Sequence, residues 1–168
     1  MWNAVPYRQY PCSASAAFPQ GRILRRPILR VTLLANGRRV DCFADVDSGA
    51  DQCVFPISFA HQLGLDETSN PRFAFTGGVG NAQVPTHYWN IKIQILFGLP
   101  PSATLFELDV DAGFTPGLEQ QGMGLLGQSG FFDCAKVCFD YQNALFYVET
   151  PDPVVTPPPH PILPTPKP

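Results

Sequence analysis

The sequence predicts a single, mainly β domain with only short helices, and three observations favour this fold class. Its 168 residues are 45% hydrophobic and 15% charged, which provides enough apolar material for one sizeable core. Its 13 Phe and 19 Pro favour strands joined by many turns. Alternation of apolar and polar residues begins near residue 28 and is interrupted repeatedly by glycine-bearing turn sequences.

The distribution of proline predicts a folded domain between two different flanking segments. Residues 1–21 contain three prolines and are expected to form an irregular N-terminal arm. Residues 150–168 hold nine of the nineteen prolines, so we expect an extended, disordered tail there. The domain itself is expected to span residues 22–149. The PxxP sequence at residues 161–164 could bind an SH3-type partner, although a tail without a dedicated partner is favoured.

Residues 28–34 and 40–46 predict the first hairpin of the domain. Apolar residues alternate in both segments, and Asn36 with Gly37 between them is the strongest short-range signal for a hairpin turn. The second strand leads directly into Asp47. The hairpin is therefore expected to place a carboxyl group at the end of a strand.

The remaining elements follow from turn residues and apolar periodicity. The first is a short helix at 57–63 closed by Gly64, followed by strands at 73–75 and 84–95 around a glycine-rich tip. A strand at 103–110 and a loop at 113–117 come next. A short strand at 125–126 then leads through Gly127 into a helix, and a hairpin of 137–139 with 144–148 closes the domain.

The charge pattern argues against a nucleic-acid partner. Seven of the eleven Lys and Arg residues precede Val40 with no acidic residue among them, yet the net charge is -3. Such a basic patch could contact an anionic surface. A solvated hairpin face is favoured instead, because the overall negative charge opposes binding to a polyanion.

Hydropathy and cysteine spacing favour a cytoplasmic protein without metal or cofactor. The sequence contains no run of eighteen apolar residues, the length needed to span a membrane, and residues 1–6 lack the features of a signal peptide. The five cysteines are odd in number and lack CxxC spacing, which indicates reduced thiols. A zinc site that uses Cys134 and Cys138 is disfavoured for the same reason. We expect no membrane contact.

Asp47, Ser48 and Gly49 are the first candidate site. They supply a carboxylate, a neighbouring hydroxyl and a residue that can turn sharply without a Cβ penalty. The alternative interpretation is a polar turn between two strands, since these residue types are common in turns.

Residues 76–81 carry three glycines between two strands, which predicts either a loose hairpin turn or a lid over a cleft. Their sequence lacks the GK[ST] and the following helix of a phosphate-binding loop. Ser129 lies in an incomplete GxSxG sequence, because Phe131 replaces the last glycine and no histidine is well placed to activate the serine. A serine hydrolase is therefore disfavoured.

Together, residues 44–51 (ADVDSGAD), 76–80 (TGGVG) and 125–127 (LLG) resemble the motifs of the retropepsin-like (retroviral-type) aspartic proteases, in particular their small soluble bacterial members. The resemblance covers residues 28–148. It implies a closed, mainly antiparallel β-barrel of the acid-protease fold, with short helices and an active site at a homodimer interface.

The resemblance also implies a role for individual residues. Asp47 would be the catalytic aspartate within the Asp47, Ser48 and Gly49 motif, and Asp51 would hold the backbone of a peptide substrate. The flap over the substrate would comprise Gly77, Gly78, Val79 and Gly80. One departure concerns Gln128 and Ser129, which stand where retroviral members have Arg and a polar Asn or Asp. An ion pair that would brace Asp51 is therefore missing.

The Asp-Ser-Gly sequence occurs once, whereas peptide hydrolysis of this type needs two carboxylates that share a proton. A homodimer would supply the second Asp47. We therefore expect an aspartic endopeptidase that acts on a peptide or protein substrate. The alternative is a catalytically silent peptide-binding or dimerisation module of the same fold.

Overall fold

The structure, a computed structural model, describes residues 1–69, 71–77, 83–98 and 103–151. The described part is mostly β, as the sequence predicts, with one short α-helix and two 3-10 turns. The elements are β1 (Trp2–Pro6), β2 (Arg8–Cys12), β3 (Arg22–Arg26), β4 (Ile28–Ala35), β5 (Arg38–Val46), β6 (Val54–Pro56), α1 (Ile57–Gln62), a 3-10 turn (Glu67–Ser69), β7 (Arg72–Gly77), β8 (Gln83–Phe97), β9 (Thr104–Thr115), a second 3-10 turn (Pro116–Leu118), β10 (Gly124–Leu126), β11 (Lys136–Asp140) and β12 (Leu145–Glu149).

Six strands close into a barrel in the order β4, β5, β10, β6, β9 and β8, with β8 pairing back to β4. Four of these pairings are antiparallel, whereas β5 with β10 and β6 with β9 are parallel. The predicted closed and mainly antiparallel barrel is thus confirmed. Large side chains such as Leu33, Phe55, Ile93 and Phe114 fill its interior and are fully buried.

The first hairpin of the barrel matches the prediction from sequence. Ile28 pairs with Asp45 at one end of the β4–β5 ladder, and Ala35 pairs with Arg38 at the other. Asn36 and Gly37 have φ of 50° and 70°, as a two-residue turn that follows strand twist requires. Because the turn chemistry and the alternation agree, the hairpin places Asp47 one residue beyond β5.

The N-terminal arm is not irregular, and this part of the prediction is wrong. Strand β1 pairs antiparallel with β12 in a small sheet with β11, and β2 pairs with β3 in a two-stranded N-terminal ribbon. Pro6 ends β1 at the edge of its sheet, and Pro11 lies in a ribbon with only one neighbouring strand. Proline is tolerated at such edges because a strand there need not donate every backbone N–H.

Most of the arginines before Val40 contact other groups of the chain. Arg8 lies over the ring of Phe43, Arg22 lies over Phe18, Arg25 donates to the carbonyl of Tyr141, Arg26 pairs with Asp45, and Arg30 and Arg39 pair with Asp41. The basic patch is therefore used in part to hold the N-terminal ribbon against the barrel.

Two further predictions are wrong near the end of the barrel. Residues 113–115, expected in a loop, complete β9 and pair with β6, so the turn begins only at residue 116. The helix expected after Gly127 is replaced by turns, because Gly130 has a φ of 102°, which no α-helix accommodates. The predicted hairpins β7–β8 and β11–β12 and the helix α1 are confirmed.

The structure places Thr150 in the folded part of the chain. The residue is buried, and its backbone N–H donates to the carbonyl of Met1 at 2.9 Å. The rest of the predicted tail from residue 152 lies outside the described residues. Within the described ranges, no helix is both long enough and apolar enough to cross a membrane.

The closing hairpin provides a test of the small sheet. Phe146 is fully buried and packs edge-on against Tyr7 with ring centroids 5.5 Å apart. We expect Phe146→Ala to lower the free energy of unfolding by about 3 to 5 kcal/mol in urea titrations, because it leaves a cavity. Phe139 is the directly opposite residue of β11 and is 44% exposed, so Phe139→Ala should cost less than about 1 kcal/mol. Equal losses would contradict this packing.

Candidate active site

Asp47 follows β5 and is held from both flanks of that strand. The N–H of Val46 donates to the carbonyl of Pro27 at 2.8 Å, and the N–H of Asp47 donates to the carbonyl of Leu126 at 3.1 Å. Because β10 runs parallel to β5 with Leu126 opposite Val46, the second bond continues the ladder beyond the strand. The position of the Asp47 backbone is thus fixed by the barrel.

Residues 47–51, here called the Asp47 loop, turn sharply and fix the carboxylate. The N–H of Gly49 donates to Asp47 Oδ1 at 2.9 Å, and the N–H of Ala50 donates to the carbonyl of Asp47 at 3.1 Å. A Cβ at Gly49 would lie 3.2 Å from Oδ1, so a glycine suits this close approach. Oδ2 makes no hydrogen bond within the described part of the chain, and Asp47 is partly exposed.

The segment after β10 braces the Asp47 loop with neutral hydrogen bonds. Gln128 Nε2 donates to the carbonyl of Ser48 at 2.9 Å, and the N–H of Gln128 donates to the carbonyl of Ala50 at 2.8 Å. The N–H of Ser129 donates to the carbonyl of Asp51 at 2.8 Å. These bonds hold the loop where the sequence predicts that a charged brace is missing.

Gly127 permits this bracing because the two segments touch through their backbones. A Cβ at Gly127 would lie 2.3 Å from the carbonyl oxygen of Gln52 and 2.7 Å from that of Ala50. Real side chains do not approach backbone so closely, so any residue other than glycine would force the segments apart.

A cleft of about 870 Å³ opens over the Asp47 loop. Four of the residues predicted from sequence line it: Asp47, Gly49, Asp51 and Gly77. Ser48 is exposed beside it, and its carbonyl is taken by Gln128. The predicted flap residues Gly78, Val79 and Gly80 lie outside the described residues. The structure therefore brings one end of the β7–β8 hairpin and the Asp47 loop to the same cleft.

Several residues of the cleft were not predicted from the sequence. They include Phe75, Val84, Tyr88, Leu118, Gln121 and Leu125. Val84 and Tyr88 lie four residues apart on β8, and period-two alternation from the glycine-rich tip could have placed both on one face. Leu118 and Gln121 come from a segment with no motif, so nothing in the sequence indicates their position. Phe75, Val84, Leu118 and Leu125 give the cleft an apolar lining beside its carboxylates.

Two carboxylates and no cationic side chain line the described part of the cleft. Asp51 is exposed, and within the described residues its carboxylate makes no ion pair or hydrogen bond. Burial, together with the negative charge of Asp51, raises the pKa of the Tyr88 phenol. Among the residues described, no three His, Cys, Asp or Glu side chains form a group that could hold a metal ion.

Asp45 lies two residues before Asp47 and is buried. Its Oδ2 pairs with Arg26 Nη2, whereas its Oδ1 is buried without a hydrogen-bond partner in the described part of the chain. Burial raises the pKa of Asp45; the charge and the hydrogen bond of Arg26 oppose this shift, and the negative charge of Asp47 adds to it.

Comparison with solved structures finds similarity to a chain described as a retropepsin-like aspartic protease from Rickettsia conorii. The two chains are 14% identical with a TM-score of 0.48, and the match covers 83% of this chain and 98% of that chain. Comparison with protein-family models gives no match, and comparison with curated proteins gives none. No residue role follows from a likeness at this level.

The contact at Gly127 can be tested by adding one methyl group. We expect Gly127→Ala to lower the free energy of unfolding by about 2 kcal/mol or more, because the Cβ would displace the backbone of the Asp47 loop. Gly77 lines the same cleft, but a Cβ there would meet no atom of the described residues within 4 Å. Gly77→Ala should therefore change stability by less than about 1 kcal/mol in the same urea titration. A neutral Gly127→Ala would show that the two segments are not in contact.

Proposed function

We propose that this protein is an aspartic endopeptidase that cleaves peptide bonds with a water molecule activated by two Asp47 carboxylates, one from each protomer of a homodimer. The observation that carries the proposal is the geometry of Asp47. Its Oδ1 is held by the N–H of Gly49 at a strand end, its Oδ2 makes no hydrogen bond within the described part of the chain, and the residue lines the cleft. Fixing one oxygen and freeing the other is what a carboxylate that transfers protons requires.

The reaction needs two carboxylates with different protonation. One takes a proton from water as the water attacks the peptide carbonyl carbon, and the other donates a proton toward the carbonyl oxygen. Paired carboxylates suit this task because like charges at short distance resist joint ionisation and so share one proton. The pair then returns a proton to the leaving amine as the C–N bond breaks.

The neighbouring carboxylates of the same chain are poorly suited to be the second member of the pair. Asp45 is engaged by Arg26, and Asp51, although it lines the same cleft, is exposed and lacks, within the described residues, the backbone N–H bond that orients Asp47. A two-fold axis near Asp47 would instead bring two carboxylates with equivalent surroundings together, as homodimers commonly do. This argument supports the dimer, in which each protomer provides half of the site.

The rest of the cleft suits an extended peptide. Its volume of about 870 Å³ lies at the upper end of the range common for small-molecule sites, so it can take several residues of a peptide. Backbone groups of Gly49, Asp51 and Gly77 would bond the peptide backbone, and the flap would comprise Gly78, Val79 and Gly80. Phe75, Leu118 and similar residues would accept apolar side chains of the substrate.

The proposed enzyme needs no metal or cofactor, since water and two carboxylates complete the reaction. All five cysteines fall in the described ranges and are free thiols. Unpaired cysteines are usual in a reducing compartment, which supports our proposal of a cytoplasmic location.

Replacing the reacting carboxylate tests the proposal directly. Incubated with an unfolded protein between about pH 4 and 7, wild type should cut, and Asp47→Asn should be slower by at least about 10³-fold because it cannot take up a proton from water. Asp109→Asn makes the same chemical change at an exposed site on β9 and should cut at the wild-type rate. Cleavage fragments are quantified by mass spectrometry.

Two results would contradict the assignment. Wild-type cleavage that survives in Asp47→Asn would show that Asp47 does not react. Wild type that binds the unfolded protein without cutting it would favour the alternative, a silent peptide-binding or dimerisation module of this fold.

A further inference from the structure

We propose that Asp45 is a positioning residue for the proposed reaction: it neutralises the charge of Arg26 beside the Asp47 carboxylates, so that neither charge of the pair displaces the pH range in which these carboxylates hold their shared proton. The inference rests on the proposed function. It adds to that function a charge pair that comes partly from the N-terminal ribbon.

The strand geometry places Asp45 beside Asp47. Side chains alternate along β5, so Val40, Cys42, Ala44 and Val46 point into the core, and Asp45 points outward. Asp47 continues this outward series, because its N–H still bonds β10 in the manner of a strand. Two residues of strand separate the two side chains by roughly 7 Å. Charges at this distance interact strongly when one of them is shielded from water.

Because Asp45 is buried, water screens its charge only weakly. The side chain of Asp45 is 10% exposed and that of its partner Arg26 is 38% exposed. One carboxylate oxygen bonds Arg26, and the other has no hydrogen-bond partner in the described structure. An unsatisfied buried oxygen costs stability, so an apolar residue would serve a purely structural role better.

Of the described neighbours of Asp45, Arg26 supplies the positive charge that balances its carboxylate. Across the strands, Asp45 faces Ile28 of β4 and Leu125 of β10, and both are uncharged. In the described part of the chain, four further charged or titratable groups belong to this side of the site. Arg8 lies over the ring of Phe43, Asp47 and Asp51 belong to the Asp47 loop, and Tyr88 on β8 is affected by the charge of Asp51. Asp47 and Arg26 are the groups whose charges act on the pKa of Asp45.

In each single variant, the charge that remains determines the direction in which the pH–activity profile shifts. Asp45→Asn leaves the positive charge of Arg26 beside the Asp47 carboxylates and favours loss of their shared proton. The alkaline limb of the pH–activity profile should then move to lower pH, by roughly half a unit to one unit. Arg26→Gln removes the charge that opposes the burial-raised pKa of Asp45, and where Asp45 is ionised its unbalanced negative charge should move the same limb to higher pH.

The experiment compares pH profiles of kcat/KM for cleavage of an unfolded protein by wild type, the two single variants and the double variant Arg26→Gln with Asp45→Asn. The double variant is neutral at both positions, so its alkaline limb should return to within about 0.2 pH units of wild type. Asp41→Asn is the matched control. It removes an arginine-paired carboxylate from the same face of β5, six residues from Asp47, and should not shift the limb.

Opposite shifts in the two single variants, reversed in the double variant, support the inference. If Asp45→Asn does not fold, the profile of Arg26→Gln still decides, because only a shift of its alkaline limb to higher pH supports the inference. Rate losses without a shift of the limb, or shifts in the same direction, would overturn it and leave a merely structural ion pair. Wild type that cuts at no pH would remove the proposed function and this inference with it, whereas wild-type cleavage with coincident profiles removes the inference alone.

Discussion

The candidate site depends on the close parallel approach of β10 to β5. That approach places the carbonyl of Leu126 where it accepts the N–H of Asp47, one residue beyond the strand. It also brings Gly127 against the backbone of residues 50–52, where a Cβ has no room. Because the hydrogen bonds from Gln128 and Ser129 to the Asp47 loop follow from the same contact, one glycine determines whether the carboxylate is held rigidly.

A rigid loop matters because the proposed chemistry is electrostatic. Asp47 Oδ1 is bound by a backbone N–H, so its orientation is set before a substrate arrives. The charges around it come from Asp51 in the same loop and from a distant part of the chain, where Arg26 of the N-terminal ribbon pairs with Asp45. The arginine-rich segment, whose sequence is typical of a solvated surface, thus becomes part of the environment of the site.

The sequence predicts those parts of the fold in which local signals agree. Asn36 and Gly37 supply the turn that the alternation on either side requires, so the β4–β5 hairpin could be placed closely. Strand β1 could not be predicted in this way, because its proline is typical of an interruption. Its pairing with β12, about 145 residues away, is a tertiary contact that no local pattern shows. The turns after Gly127 depend on the backbone conformation of Gly130, which composition does not reveal.

The residues of the site likewise fall into those that the sequence predicts and those that it does not. Asp47, Gly49, Asp51 and Gly77 belong to motifs, and the structure brings them to one cleft. The role of Gln128 could not be predicted from the sequence, because its bond to the carbonyl of Ser48 spans 80 residues. The motif therefore indicates where the loop lies but not which side chain braces it.

The central claim is that two chains contribute one Asp47 each to a single site, and mixing protomers tests it most directly. Wild type is co-refolded with a roughly threefold excess of Asp47→Asn, and cleavage is measured per wild-type chain. If both carboxylates are needed, most wild-type chains pair with an inactive one, and activity per wild-type chain falls to about a quarter. Activity per wild-type chain that does not change in the mixture would contradict the shared site.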